Sequence, residues 1–486
     1  MVGADHKISL PNRLVQSKDS FFYLCLGFSI TCFFLALSLD QVILFLLPFA
    51  LVFGMLVAYN YQWIYLLFFV VLPFSIEIYL PNGFGTDLPT EPIMLTLTGV
   101  FLIKFIQEFH SLKKQRWLHP ISNLLFFHLV WIAFMSLYSI DTFVSIKYTL
   151  AKSWYVIPFF FFSLYLFEKN GISFIDRVIK TLWWSLSVAL VYIMISHAST
   201  GFSFDSINDA LKPIFRNHVN YAVLLVALWP FMIYLFVHSK NKKLYGACLL
   251  FLLAAIYLSY TRAAQLCVFI SAIVYVIIRY RKMVHSIILG LAIMTSIVLY
   301  LLQDNNYLKF APDYNKAVTH YKFDNLIEAT YKLEDISTME RVYRWVAGFR
   351  MVADKPLTGF GPGCFYPIYK KYTINIFRTY VSDNPEKSGM HNNFLIVFVE
   401  QGIGGFIIML LICILPLIYG EKYYHQLKDK KSRDLMMAAT CATACLFAVL
   451  LINELLEADK VGPIFFLSLA IIVYLGNSSI QKKLDT

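Results

Sequence analysis

HVNYAVLLVALWPFMIYLFV, residues 218–237, is a run of twenty residues without a single Asp, Glu, Lys or Arg. At about 1.5 Å rise per residue, a helix of this length crosses a hydrocarbon core roughly 30 Å thick. Similar runs fall near 20–39, 41–59, 61–80, 92–109, 121–139, 148–167, 174–197, 244–260, 263–279, 284–302, 392–419, 434–453 and 461–476. The pattern predicts an all-α polytopic membrane protein with about 12–14 transmembrane helices. Composition agrees. Of 486 residues, 59% are apolar and only 15% charged, against roughly 25% charged in an ordinary soluble domain.

The net charge of +11 lies largely in loops flanking these runs, so it reads as topology and no nucleic-acid partner is expected. With the N-terminus inside, inner segments carry 21 Lys and Arg, whereas the short outer loops carry five: Lys147, Lys212, Arg216, Arg262 and Lys460. Both termini are therefore expected in the cytoplasm. The first twenty residues, with Lys7, Pro11, Arg13 and Lys18, are too polar for a cleavable signal peptide, so the first span is expected to direct its own insertion. Eight cysteines lie mostly inside apolar runs with no CxxC spacing and read as packing residues.

One outer segment is long and polar. Residues 303–390 hold twelve basic and ten acidic residues, dividing the chain into N-terminal spans (1–302), an outer loop domain (303–390) and C-terminal spans (391–486). Within the loop, Ser337-Thr338-Met339-Glu340 reads as a capping box. It should open a helix with Val342, Trp345, Val346 and Phe349 on one face and Arg341 and Arg344 on another, stopping before Pro356. Gly359-Phe360-Gly361-Pro362-Gly363 should form a tight turn. No Lys-Ser/Thr follows it, so it is not a phosphate loop.

Four polar features fall on the outer side. Arg216, His218 and Asn220 cluster where a loop meets a span; an interfacial anchor and a substrate ligand are the alternatives. Ser259-Tyr260-Thr261-Arg262 interrupts two spans, where an ionisable group needs a cavity or a partner. Arg341 and Arg344, taken alone, fit a solvated helix face. His391-Asn392-Asn393 opens the span near 392, and its imidazole has a pKa suited to accepting a proton near neutrality. Glu400-Gln401-Gly402 further along predicts a kink or break. Several arginines and a histidine with no acidic metal cluster suit transfer from a lipid diphosphate to a hydroxyl.

These pieces, in this order around one long outer loop, resemble the O-antigen ligase and O-antigen polymerase superfamily. The likeness runs from about 210 to 420: Arg216 through Pro230, Ser259–Arg262 with Ala263, Arg341-x-x-x-Trp345 leading into Pro356–Gly363, and His391-Asn392-Asn393-Phe394 leading into Glu400-Gln401-Gly402. Thr261-Arg262 stands where Ser-Arg is more usual. The resemblance implies an all-helical, glycosyltransferase C-like enzyme of the bacterial inner membrane with its site facing the periplasm. Its donor would be an undecaprenyl-diphosphate glycan, used without metal or cofactor. His391 would activate the acceptor hydroxyl, and Arg216 and Arg262 would hold the diphosphate. Arg341, Arg344, His218, Asn220, Asn392 and Asn393 would be further substrate contacts. The acceptor would be a lipid A core sugar for a ligase, or a lipid-linked glycan for a polymerase. The roof that the long loop could form over a bulky acceptor favours the ligase. A transporter or flippase for lipid-linked oligosaccharide is a third reading, which would call for inverted repeats and midplane charges.

Overall fold

The computed structural model describes residues 43–79, 85–108, 118–310, 336–377, 382–384 and 388–484, with scattered positions between 27 and 38. The chain forms two compact units, Met1–Leu67 and Phe68–Thr486. The first holds most of helix α1 (Ile43–Val71), which breaks at Asn60. All that follows concerns the second.

Among the described residues, the second unit is helices and loops apart from one antiparallel hairpin, β1 (Ile76–Tyr79) and β2 (Gly85–Leu88), paired Glu77 to Asp87. The helices are α2 (Thr90–Glu108), α3 (Pro120–Ser136), α4 (Thr142–Val156), α5 (Ser163–Asn170), α6 (Ile172–Ala198), the single turn α7 (Ile207–Ala210), α8 (His218–His238), α9 (Lys242–Tyr257), α10 (Arg262–Arg279), α11 (Met283–Leu302), α12 (Ile336–Asp354), α13 (Asn393–Tyr424), α14 (Lys430–Leu450) and α15 (Gly462–Leu484). A widened turn at Ile157–Phe162, containing Pro158, joins α4 to α5 into one continuous span.

The protein is an all-α polytopic membrane protein. Among the described residues, eight helices are long and apolar enough to cross a bilayer, and Asn60–Phe74, Pro120–Ser136 and Gly462–Asn477 are shorter apolar helices. That is fewer than the apolar runs in the sequence. The runs at 41–59 and 61–80 share α1, α9 is only 16 residues long, and most of the run at 20–39 lies outside the described residues. On α11, Ile288 and Leu289 are 61% exposed, an arrangement that suits surrounding lipid tails.

The bundle core is α8 and α14, where Val223 through Ala227 and Leu435 through Cys445 are almost wholly buried. Lys152 of α4, 2% exposed, is ion-paired with Glu457, which lies between α14 and α15. Tyr148 Oη donates to the same carboxylate at 3.0 Å. Such partners are what an ammonium within a membrane span requires.

The outer segment packs as a small apolar core, with Tyr343, Val346, Ala347, Met351, Phe360, Phe365, Tyr369 and Phe377 set against Met390, Leu395 and Val399 at the head of α13. Its helix differs from the sequence reading in two ways. Helix α12 already includes Ile336, so Ser337 lies within it rather than capping it, and Glu340 instead accepts from Ser382 Oγ at 2.6 Å. The buried face is centred on Ala347, with Phe349 46% exposed. Small residues decide this rotation, because Gly348 leaves room for Met390, whose Cε would stand 2.6 Å from an added Cβ.

The expected break in α13 occurs at Gly402 (φ +66°, ψ −171°). It frees backbone groups that need partners inside an apolar bundle. The strap after α12 supplies them: Phe360 N donates to Val399 O and Gly361 N to Glu400 O, both at 2.9 Å, and Ile403 N donates to Pro356 O at 2.9 Å. The Glu400 carboxylate accepts from Gly363 N at 2.9 Å and Phe365 N at 3.1 Å. The glycine-rich turn is thus a clamp on the broken helix. A Cβ on Gly361 (φ +107°) would collide with Ser139.

Candidate functional site

The polar features flagged in the sequence sit at one end of the bundle. Asn217 caps α8 by accepting from Asn220 N at 2.9 Å. The next residue, His218, shares Asn208 Oδ1 between its backbone amide and ring Nδ1, each at 3.0 Å. Thr261 Oγ1 donates to His218 O at 3.2 Å, which brings the Ser259–Arg262 turn beside the head of α8. Arg262 is the first residue of α10, whose N-cap Thr261 makes no side-chain cap bond. The first amides of α10 therefore lack that partner, and they carry the positive end of the helix dipole.

Arg216 is half-exposed and ion-paired to both strands of the hairpin, with Glu77 Oε1 at 2.5 Å and Asp87 Oδ1 at 3.5 Å. It lines a cavity of about 260 Å³ together with Asn220, Glu457, Asp459 and Lys460. Lys460 is buried, donates to Ser75 O at 2.9 Å and to Ile214 O, and lies 4.3 Å from the Phe215 ring centroid. Burial raises the Asp459 pKa, with Asp87 adding to the effect, and burial lowers that of Lys460. The sequence reading left Arg216 as an interfacial anchor or a substrate ligand, and the family resemblance made it a diphosphate ligand. It has two carboxylate partners here, both from a hairpin absent from that reading.

His391 occupies a left-handed backbone conformation, φ +56°, in a loop gripped from two sides. Arg344 Nη1 donates to Gly389 O at 2.8 Å and Trp345 Nε1 to Met390 O at 3.0 Å. On the other side Asn392 N donates to Glu454 Oε1 at 3.3 Å, with the amides of Met390 and His391 near enough to favour the charged form of that carboxyl. Arg344 is 5% exposed and within 3.5 Å of Glu340 Oε2, which corrects the solvated-face reading. The helix turns its arginine inward because the loop carbonyls and Glu340 lie there. Asn392 caps α13, accepting from Phe394 N at 3.0 Å and Leu395 N at 2.9 Å. Asn393 is buried, and its Nδ2 has no hydrogen-bond partner among the described residues.

Burial pushes the His391 pKa down to about 4, with Arg341 and then Arg344 adding to the effect. The imidazole is therefore neutral near pH 7, with a lone pair available. Burial pushes Glu454 up to about 7 against the opposing pull of its amide partners, and Glu457 adds to the rise.

The segment between α14 and α15 links the two clusters, since Glu454 holds the His391 loop and Glu457 through Lys460 line the Arg216 cavity. The heads of α8, α10, α13 and α15 and the tail of α14 thus share one end of the bundle. Sequence reasoning missed Glu77, Asp87, Glu454, Glu457 and Asp459. A signal was available: three acids in the eleven residues 451–461 exceed what a turn between spans needs. Among the described residues, no three His, Cys, Asp or Glu side chains gather in metal-binding geometry.

Residues 247–410 match the O-antigen ligase family. The match contains the Ser259–Arg262 turn, α12, the His391 loop and the α13 break, and it leaves out Arg216 and Glu454. It supports the O-antigen ligase and polymerase superfamily, and with it an enzyme of O-antigen ligase or polymerase type that handles lipid-linked glycans in a membrane. No curated protein matches the chain.

Proposed function

We propose that this O-antigen ligase-type protein transfers a glycan from an undecaprenyl-diphosphate donor to a sugar hydroxyl of lipid A core, on the periplasmic face of the bacterial inner membrane and without a metal ion. The observation that carries the reading is a neutral His391 held in a strained loop beside Arg341 and Arg344. His391 accepts the proton of the acceptor hydroxyl as that oxygen bonds to the anomeric carbon of the donor. The bond from that carbon to the diphosphate oxygen breaks, and the electron pair leaves with undecaprenyl diphosphate. Arg262 at the uncapped head of α10, together with Arg216, takes the charge that develops on the leaving group.

A base of pKa about 4 is weak for this task. The donor itself offers a remedy. Burial and the Arg341 and Arg344 charges hold the imidazole low, so a diphosphate beside those guanidiniums offsets the electrostatic part and raises the basicity of His391 when substrate is bound. The empty enzyme keeps its base unprotonated, and the loaded enzyme makes it effective.

In cells deleted for the gene, the glycan that accumulates tests the reading. Lipid-linked polymer is expected for a ligase, and single lipid-linked repeat units would assign a polymerase. A His391→Ala variant at normal membrane level should fail to restore transfer, because general-base catalysis is worth roughly 10²–10⁴-fold. Restoration by that variant would remove His391 from the mechanism.

A further inference from the structure

The geometry points to Glu454 as the residue that positions His391, an assignment that rests on the general-base reading above. The Asn392 amide donates to Glu454 Oε1 at 3.3 Å, and the amides of Met390 and His391 lie close enough to favour the charged form of that carboxyl. In its ionised form a carboxylate only accepts, and these amides favour that form against the opposing effect of burial. The approach is close enough to dictate the neighbouring residue: an added Cβ on Gly389 would collide with Glu454 Oε2. Among the described residues Glu454 forms no ion pair, and its half-buried carboxyl bonds to this loop.

The bonds serve the next residue's conformation. A non-glycine residue at positive φ costs about 1–3 kcal/mol and persists only where its surroundings hold it. For His391 the hold is two-sided, with Arg344 and Trp345 on the carbonyls and Glu454 on the amides. The α12 side chains could hold the loop in place without fixing the direction in which His391 projects. The amide side constrains that direction, because Asn392 N belongs to the peptide plane that follows the His391 Cα and is held by Glu454. Glu454 touches no reacting atom in this scheme and acts through His391.

The test uses the full chain purified in detergent, with undecaprenyl-diphosphate glycan and acceptor lipid extracted from cells deleted for the gene. Glu454→Gln removes the charge and one of the two acceptor oxygens. It is expected to lower kcat about 10²-fold, the scale for a reacting group misplaced by about 1 Å, with KM for the donor unchanged. Glu454→Asp keeps the carboxylate and should recover part of that loss. In a His391→Ala background, Glu454→Gln should cost nothing further, because its effect passes through a side chain already removed. Wild-type kcat in Glu454→Gln, a change confined to KM, or a full additional loss in the His391→Ala background would each overturn the assignment. If Glu454→Gln aggregates, Glu454→Asp decides: a lower kcat at constant KM supports the role and an unchanged kcat ends it. A slow His391→Ala with a normal Glu454→Gln sinks this inference alone, whereas a fully active His391→Ala sinks the general-base reading with it.

Discussion

The backbone carbonyl of Leu357 fills the space that a side chain on Gly402 would occupy. Gly402→Ala therefore meets two obstacles, a φ of +66° and an immovable main-chain atom. The backbone cost alone is about 1–3 kcal/mol. The variant is expected to unfold at a lower temperature than wild type in detergent and to lose transfer in parallel. An unchanged unfolding midpoint would mean that the strap is not locked into the broken helix.

Arg216→Ala should remove most transfer activity, but it also strands Glu77 and Asp87. The triple variant Arg216→Ala/Glu77→Gln/Asp87→Asn separates these effects. It should recover membrane level and thermal stability without recovering transfer. Recovery of all three would assign Arg216 to holding the hairpin only.

His391 should react with diethyl pyrocarbonate as a neutral imidazole well below pH 6.5. Its folded pKa is depressed, so the reactive form is present at neutral pH and is lost only as pH falls through about 4. Arg341→Gln removes a neighbouring positive charge, favours the imidazolium and should shift the midpoint upward. Peptide mass spectrometry across a pH series reads both midpoints. A wild-type midpoint near 6.5 would contradict the half-buried, cation-flanked setting.

Transfer by the purified enzyme should survive excess EDTA. Loss of activity restored by magnesium or manganese would place a metal in the reaction and displace the arginines as the main stabilisers of the leaving diphosphate.

Local patterns made most of the scaffold legible. Uncharged runs marked the spans, Pro356 marked the end of α12, and Gly402 marked the break in α13. What escaped the sequence was pairing between distant segments. Nothing local to Arg216 says that Glu77 and Asp87 will meet it, because the hairpin brings them there. The helical period placed Arg344 on an outer face, but Glu340 and the carbonyl of Gly389 draw it inward. Glu454 was passed over for the same reason. Its partners are backbone amides, which leave no mark in composition.

The Lys152–Glu457 pair sets an order on how the chain is made. The two residues are 305 positions apart, so α4 enters the bilayer long before its counter-charge has been synthesised. Until the last hairpin inserts, the nascent protein carries an ammonium that its own fold has not yet neutralised. A chain cut anywhere between Lys152 and Glu457 keeps that lysine without its partner.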